Sequence, residues 1–340
     1  MRLNHNLWLA YKLRWRRRKL LLKSFRSRHQ LSNISDKTDK IKPHDILGYS
    51  TVRNEILRLP YFLKHCRKLG VTHFFFVDNN SDDGTTDYLK CQPDVSLWGT
   101  TSSYKESRFG VNWLTHLQTK YGDGHWCLTL DADEIFIYPD WENRKLDALT
   151  AWLDARGQPA LATLMLDIYP KGPIGHVQYK AGDDPCQSLG WFDVENYTWE
   201  MQPKYQNISI RGGARKRMFF EQKPDLAPHL HKIPLVKWRK SYAYVSSTHI
   251  ALPRHLNAAF DARLDLPTGV LLHTKFLNVA VEKSQEEKRR REHFTHTYNY
   301  DDYYDEVIAD PNFWHEGASE LEGSQKLVDI GLMSGGAWLN

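Results

Sequence analysis

The sequence predicts an α/β fold, a mostly parallel sheet flanked by helices, from two observations. From residue 46 onward, short apolar runs typical of buried strands alternate with amphipathic helical segments. Two of these runs end directly in polar turns, at residues 78–84 and 131–134. Ligands bind at the carboxyl ends of strands in such sheets, so both turns are candidate parts of a functional site.

The elements follow in order along the chain. The expected strands span residues 46–52, 72–77, 126–130 and 161–168, and the expected helices span residues 59–69, 85–90, 109–121 and 146–155. Pro60 in the first turn and Gly70 just past the end mark the limits of the helix at 59–69.

The second half of the chain is less regular. Residues 171–270 are richer in Gly, Pro and aromatic residues, with strand-like runs at 208–210, 218–220 and 242–246. We expect this region to extend the same domain and to form the second, acceptor-side wall of a cleft. A strand within residues 269–277 and a charged helix over residues 279–293 come next, followed by a polar and aromatic tail.

Composition excludes several classes of protein. The chain has 340 residues, of which 41% are hydrophobic and 26% charged, which excludes a mainly disordered or fibrous protein. No apolar run approaches the roughly 20 residues of a membrane-spanning helix, and we find no cleavable signal peptide. Its 4 cysteines are far apart and form no C-x-x-C pair, so neither a zinc site nor a disulfide framework is expected. A reducing, cytoplasmic setting is the expectation.

The charge is distributed unevenly. Residues 1–42 hold 13 Lys and Arg but only Asp36 and Asp39, a net charge of +11, whereas the whole chain carries +5 and the remainder therefore −6. At helical spacing an apolar stripe forms within residues 1–28, made of Trp8, Tyr11, Trp15, Leu22 and Phe25. This pattern predicts a helix that lies on an anionic membrane surface.

Two other interpretations of residues 1–28 stay open, a solvated tail and a helix docked on the body. Nucleic-acid binding is not expected, because the sequence of the body supplies no matching basic surface. Residues 32–42 are polar and are expected to be a linker. The expected organisation is therefore a basic arm with its linker at 1–42, a main domain at 43–294, and a tail at 295–340 packed on that domain.

The acidic turns suggest a metal and a nucleotide site. Asp131 and Asp133 are two residues apart at a strand end, so their carboxylates point the same way and are suited to Mg²⁺ or Mn²⁺. An isolated Asp-x-Asp is more often a solvated turn, but here it directly follows a buried strand. Asp78 opens the other turn, whose simpler interpretation is a tight turn with Asx and Ser caps. Asn54 and Glu55 form a third polar strand end.

Taken together, these motifs resemble a known family. The segments Ser50-Thr51-Val52-Arg53-Asn54-Glu55, Asp78-Asn79-Asn80-Ser81-Asp82-Asp83-Gly84-Thr85 and Leu130-Asp131-Ala132-Asp133-Glu134 occur in the order and spacing of a bacterial family-2-like glycosyltransferase. The match spans roughly residues 46–140. The resemblance implies a GT-A type, Rossmann-like fold and transfer of a sugar from a nucleotide-sugar donor to a hydroxyl of a glycan or lipid-linked acceptor. It also implies a role in bacterial surface polysaccharide synthesis.

The resemblance assigns roles to individual residues. It implies that Thr51, Asn54, Glu55 and Asp78 contact the nucleotide, and that Asp131 and Asp133 hold the Mn²⁺ or Mg²⁺ that bridges the donor diphosphate. His273 would complete the metal shell or bind the diphosphate, with His249 as a weaker rival. The expected phosphate-binding cations are Arg215, Arg217 and Lys275.

The catalytic base is where the sequence departs from the family pattern. No clear acidic pair follows the Asp-x-Asp, so Asp193 is our candidate base, preferred over Glu200. Two alternatives to the glycosyltransferase stay open. One is a phosphatase with Asp131 as nucleophile and Asp133 as acid; the other is a membrane-tethered carbohydrate-binding protein. The expected location is the cytoplasm, with peripheral attachment to the inner face of the cell membrane.

Overall fold

A computed structural model describes residues 2–290 and 301–339 of the chain. The strands are β1 (Ser32–Ser35), β2 (Ile46–Val52), β3 (His73–Asp78), β4 (Val95–Gly99), β5 (Trp126–Thr129), β6 (Glu134–Ile137), β7 (Ala160–Asp167), β8 (Trp191–Asp193), β9 (Thr198–Gln202), β10 (Asn207–Arg211), β11 (His231–Lys237), β12 (Ala243–Ser246), β13 (Ile250–Leu252), β14 (Gly269–His273) and β15 (Ala318–Glu320). The α-helices are α1 (Arg2–Ser27), α2 (Leu59–Leu69), α3 (Thr85–Cys91), α4 (Val111–Tyr121), α5 (Leu146–Ala155), α6 (Pro185–Ser188), α7 (Gly213–Phe219), α8 (Ala280–Arg290), α9 (Asp301–Ile308) and α10 (Ser324–Asp329).

A mixed sheet of nine strands forms the centre of the molecule, in the order β1-β4-β3-β2-β5-β11-β7-β14-β6. The strands β2, β3, β4, β5, β7 and β14 run in one direction, and β1, β11 and β6 run against them. The sheet is therefore mostly parallel. The fold is α/β, as the sequence predicted.

Helices cover both faces of this sheet, because the central strands are apolar on both sides. In β3, Phe74 and Phe76 face the core that contains the apolar residues of α2 and α5, and Phe75 faces the core that contains those of α4. A strand with two buried faces has no polar alternation, which is why the run at 72–77 reads as continuously apolar. The predicted strands and helices between residues 46 and 168 are confirmed to within two residues at each end.

The structure adds strands that the sequence analysis did not expect, among them β4, β6 and β11, and it corrects two expectations. Residues 32–42, expected to be a linker, contain β1, which pairs antiparallel with the edge strand β4. The run at 218–220, expected to be strand-like, lies mostly in α7. In that helix Met218 is four residues from Ala214, and both pack into the same apolar cluster.

The N-terminal and C-terminal segments both contact the body. Leu13 and Leu20 of α1 are buried with residues of β12 and β13, so α1 is docked on one side rather than free. Near the other end, β15 pairs antiparallel with β8. Residues 291–293 of the predicted helix at 279–293 lie outside the described residues. The same holds for residues 295–300 of the predicted tail. No helix within the described part of the chain is long and apolar enough to cross a membrane.

Candidate functional site

A cavity of about 540 Å³ opens at the carboxyl ends of the parallel strands. Val52, Met165 and His273 line it from β2, β7 and β14. Asn79 and Asp131 line it from the turns that directly follow β3 and β5. This is the sheet edge at which α/β proteins bind their ligands, and it is where the polar turns were predicted to meet.

The predicted Asp-x-Asp motif spans this edge. Asp131 and Asp133 lie between β5 and β6, two strands that are separated in the sheet by β11, β7 and β14. Their segment therefore crosses the edge of the sheet over three strands. Both side chains line the cavity, with 51% and 27% of their surface exposed, while Ala132 is buried in the core. The Thr274 N–H donates to the Asp133 carbonyl oxygen at 2.7 Å and holds the segment in place.

A buried lysine, which the sequence analysis did not identify, lies beside the motif. Lys232, near the start of β11, donates from Nζ to Asp131 Oδ2 at 2.9 Å and to Glu134 Oε1. Burial alone would lower the pKa of the Lys232 ammonium, but the two carboxylates together raise it, so the side chain is charged. In the sequence it is only a charged residue that directly precedes the apolar run at 233–236.

The second aspartate of the motif begins a chain of buried charges. His273 Nε2 lies 3.2 Å from Asp133 Oδ2, and His273 Nδ1 lies 2.7 Å from Asp167 Oδ1. Arg215 Nε donates to the other Asp167 oxygen at 2.7 Å. Burial would lower the pKa of His273, but its two carboxylate neighbours raise it. Burial opposes ionisation of Asp167 as well, but Arg215 and His273 lower its pKa to about 2.

Charged partners likewise keep Asp133 ionised. Burial opposes its charge, but His273, Arg58 and Lys275 together hold the pKa of its carboxyl well below its usual range. Lys275 lines the cavity, and its Nζ lies 5.2 Å from the ring centre of Tyr303. The cavity wall thus places cations next to the carboxylates, which is an arrangement suited to a phosphate ligand and a metal ion together.

The predicted nucleotide-contacting residues are only partly brought to the cavity. Thr51 and Glu55 line it, and Glu55 accepts from Arg58 at 3.0 Å and from Lys283 of α8. The Thr51 hydroxyl is buried and has no hydrogen-bond partner among the described residues. This hydroxyl packs against Gly110, where an added Cβ would lie 2.5 Å from Thr51 Oγ1.

Asn54 and Asp78 instead shape the loops beside the cavity, and neither lines it. Asn54 Oδ1 accepts from the N–H of Asp82 at 3.0 Å. Asp78 is buried and accepts from Ser81 Oγ at 2.5 Å and from the Thr86 hydroxyl. Its carboxylate is thus engaged within its own turn and holds the shape of that turn.

The candidate base Asp193 and the candidate clamp Arg217 lie together in a separate polar cluster. Arg217 donates to the Asp193 carboxylate from Nε at 2.8 Å and from Nη2 at 3.0 Å, and Tyr169 donates its hydroxyl hydrogen to the same group. His315 Nε2 lies 3.3 Å from Asp193 Oδ1. Neither Asp193 nor Arg217 lines the cavity, so the structure does not bring them to Asp131 and Asp133. Burial and bidentate pairing make Asp193 a structural anchor for α7.

The residues at the motif fit a divalent cation that takes some of its ligands from elsewhere. Asp131 and Asp133 supply oxygen atoms that can ligate a metal. The hydrogen bond between His273 Nδ1 and the Asp167 carboxylate is typical of a histidine whose other nitrogen ligates a metal. Over residues 2–290 and 301–339, no group of three or more His, Cys, Asp or Glu side chains is placed to hold a metal ion by itself. Mg²⁺ commonly uses one or two carboxylates together with substrate phosphates, so this donor set suits it.

Comparison with known proteins gives limited information. No family model matches the sequence, and no curated protein matches it. One solved structure that matches is the crystal structure of 4-diphosphocytidyl-2C-methyl-D-erythritol synthase, with 16% sequence identity and a TM-score of 0.26. The alignment covers 41% of this chain and 66% of that one.

Proposed function

We propose that this protein is a metal-dependent glycosyltransferase that moves a sugar from a nucleotide-sugar donor to a hydroxyl of a glycan or lipid-linked acceptor. The observation that carries the proposal is the pair Asp131 and Asp133 on the wall of a cavity of about 540 Å³ that is also lined by Lys and Arg side chains. A nucleoside diphosphate carries negative charge and binds divalent cations, so it needs both features in one site. The sequence resemblance of residues 46–140 supports the same class.

The metal would be held by Asp131 and Asp133 together with the donor phosphates, and His273, which faces Asp133, would complete the shell or bind the diphosphate. Mn²⁺ or Mg²⁺ are the ions that suit these donors. When bound, the metal ion would neutralise charge on the diphosphate as the bond between the sugar and the diphosphate breaks. Lys232 keeps Asp131 within the site through their 2.9 Å ion pair. Asp167 does the same for His273 through the 2.7 Å contact at Nδ1.

The cations of the cavity are proposed to bind the donor phosphates. Lys275, Arg58 and Lys283 line the cavity around Asp133, each on a different element of the fold. Thr51 and the carboxylate of Glu55, which both line the cavity, are proposed to contact the nucleoside. The opposite wall, with Arg211, Asp225, His229 and His249, remains for the acceptor.

Asp193 has no part in this proposal, although its sequence context suggested a base. Its carboxylate is occupied by Arg217 and Tyr169 and lies away from the cavity. The proton of the acceptor hydroxyl must be taken by a group within reach of the cavity, because a general base acts at hydrogen-bond distance.

The test is a donor screen with metal control. Hydrolysis of UDP-, GDP- and CMP-sugars is measured with Mn²⁺, with Mg²⁺ and with EDTA, alongside thermal shifts with the free nucleotides. We expect turnover of one nucleotide class that EDTA abolishes and Mn²⁺ or Mg²⁺ restores. Asp133→Asn should lose this turnover, whereas Asp87→Asn, an equal charge change on the exposed side of α3, should retain it.

Three outcomes would overturn the proposal. Full turnover in EDTA would show that the carboxylates hold no required metal. Hydrolysis of p-nitrophenyl phosphate that depends on Asp131, without any nucleotide-sugar turnover, would favour the phosphatase instead. Binding of oligosaccharides without turnover of any donor would favour the carbohydrate-binding protein.

A further inference from the structure

Helix α1 has one side fixed to the body of the protein. Leu13 and Leu20 are buried against Ala243 and Val245 of β12. Farther along the same side, the hydroxyl of Ser24 donates to the carbonyl oxygen of Asn112 in α4 at 2.8 Å. An apolar contact and a buried hydrogen bond on one face make α1 a rigid part of the fold.

The opposite side of α1 is apolar and exposed. At about 100° per residue, Trp8, Trp15 and Leu22 project away from Leu13 and Leu20. The exposed fractions are 67% for Leu7, 55% for Trp8, 51% for Tyr11, 44% for Trp15, 48% for Leu22 and 54% for Phe25. Six of the ten exposed large hydrophobic side chains in the described residues thus lie on this one face.

Cations border this exposed face. Eight Lys and Arg lie between Lys12 and Arg26, and no acidic residue occurs before Asp36. Several cover the aromatic rings, with Lys12 Nζ 4.9 Å from the Trp8 ring centre and the Arg18 guanidinium 5.2 Å from that of Trp15. Long basic side chains beside exposed indoles can reach phosphate groups while the rings enter an apolar layer.

We propose that this face of α1 binds the surface of an anionic lipid bilayer, with the aromatic rings at the level of the headgroups and the flanking cations on the lipid phosphates. Such a helix lies in the plane of the interface. This inference goes beyond the proposed enzymatic function and does not depend on it.

Charge favours lipid over the other possible occupants. Residues beyond position 42 carry a net charge of −6, which would repel a nucleic acid that extended from α1 over the body. A second copy of the same face would bring together two strongly basic helices without an acidic residue between them. An anionic bilayer instead complements both the cations and the apolar stripe.

The docking of α1 also relates the membrane to the cavity. β12 packs under α1 with Ala243 and Val245, and it ends at Ser246, which lines the cavity together with Ser247. Arg108 links the two regions by donating to the carbonyl oxygens of Tyr244 at 3.0 Å and Val245 at 3.2 Å. Attachment through α1 therefore holds the cavity at a constant orientation to the bilayer. This orientation would bring a lipid-linked acceptor to the cavity, and that consequence alone rests on the proposed function.

The experiment is co-sedimentation of the full-length protein with vesicles. Vesicles of phosphatidylcholine containing about 30% phosphatidylglycerol are compared with pure phosphatidylcholine, at about 50 mM and about 500 mM NaCl. We expect binding only to the anionic vesicles, and release at high salt. No nucleotide sugar is present, so the result is independent of the proposed transfer reaction.

Matched variants separate the face of α1 from the rest of the surface. Trp8→Ser with Trp15→Ser should lower the partition coefficient about tenfold or more, whereas Trp199→Ser, at a side chain that is 70% exposed elsewhere, should leave it unchanged. Arg14→Gln with Arg26→Gln should lower it roughly 25-fold, at about fivefold per cation. The control is Lys180→Gln with Lys223→Gln, which removes the same number of positive charges from exposed positions outside α1. Circular dichroism checks that each variant is folded.

Three results would overturn the inference. They are equal binding to neutral and anionic vesicles, retention of binding in both α1 variants, and an equal loss in the Trp199→Ser control. Binding of the protein to duplex DNA but not to vesicles would assign the face to nucleic acid instead. Dimerisation that the Trp8 and Trp15 substitutions abolish, without vesicle binding, would assign it to a second copy.

Discussion

Replacing Lys232 by Met removes the positive charge between two carboxylates and keeps most of the aliphatic volume. The side chains of Lys232 and Glu134 are 5% and 1% exposed, so the Glu134 carboxylate would remain buried without its cation. The N–H of Asp131, at 3.2 Å from Glu134 Oε2, would still donate to it. Breaking a buried ion pair at one partner costs about 3–5 kcal/mol. Because burial already raises the pKa of Glu134, this carboxyl can take up a proton when Lys232 is removed, so we expect Lys232→Met to lower the free energy of unfolding by about 3 kcal/mol, the lower end of that range.

Adding Glu134→Gln to Lys232→Met should recover most of the stability that Lys232→Met loses. Burial, together with the negative charges of Asp131 and Asp133, raises the pKa of Glu134 above its usual range in spite of the Lys232 ammonium. A neutral Gln at this position therefore loses little, and Glu134→Gln alone should cost about 1 kcal/mol. In the double variant no buried charge is left unpaired, so we expect a coupling free energy of about 2–4 kcal/mol.

Urea unfolding followed by tryptophan fluorescence measures all four proteins of this cycle. EDTA is present throughout, because a divalent cation at Asp131 and Asp133 would take over part of the role of the ammonium. If Lys232→Met lies within about 1 kcal/mol of the wild type, or if the two single losses simply add, then Lys232 is not the charge that compensates Glu134.

Three further substitutions test other parts of the structure by the same unfolding assay. Leu20→Ala should cost about 2 kcal/mol because Leu20 is buried against β12, and no change would mean that α1 is not docked. Gly110→Ala should cost about 2 kcal/mol or more, because Gly110 has a φ of +75° and an added Cβ would lie 2.5 Å from Thr51 Oγ1. Asp78→Ala should cost about 2–3 kcal/mol, because it leaves the hydroxyls of Ser81 and Thr86 without their acceptor. Unchanged stability of Asp78→Ala would show that the turn does not depend on this carboxylate.

The sequence by itself determined the local elements around the cavity. Bounds such as Leu59–Leu69 follow from an apolar repeat, a proline in the first turn and a glycine beyond the end, all of which are signals within one segment. The apolar runs that became β2, β3 and β5 were recognised for the same reason. The turn carrying Asp131 and Asp133 was placed at a strand end because the polar residues directly follow an apolar run.

Sequence analysis could not assign the partners of these residues, because the partners come from distant segments. Lys232 is 101 residues from Asp131, and Asp167 is 106 residues from His273. Each pair forms only because β11 lies between β5 and β7, and β14 lies beside β7. Strand order depends on how all apolar faces pack together, and no local pattern contains that information.

The same limit explains Asp193 and α1. Asp193 has the sequence context of a possible base, but the tertiary contacts with Arg217 and Tyr169 turn it into a structural anchor. The aromatic stripe of α1 was visible in the sequence, whereas the buried face through Leu13 and Leu20 depends on β12, more than 200 residues away. Periodicity determines which residues share a helix face, and only long-range packing decides which face is covered and which is left to solvent or to a partner.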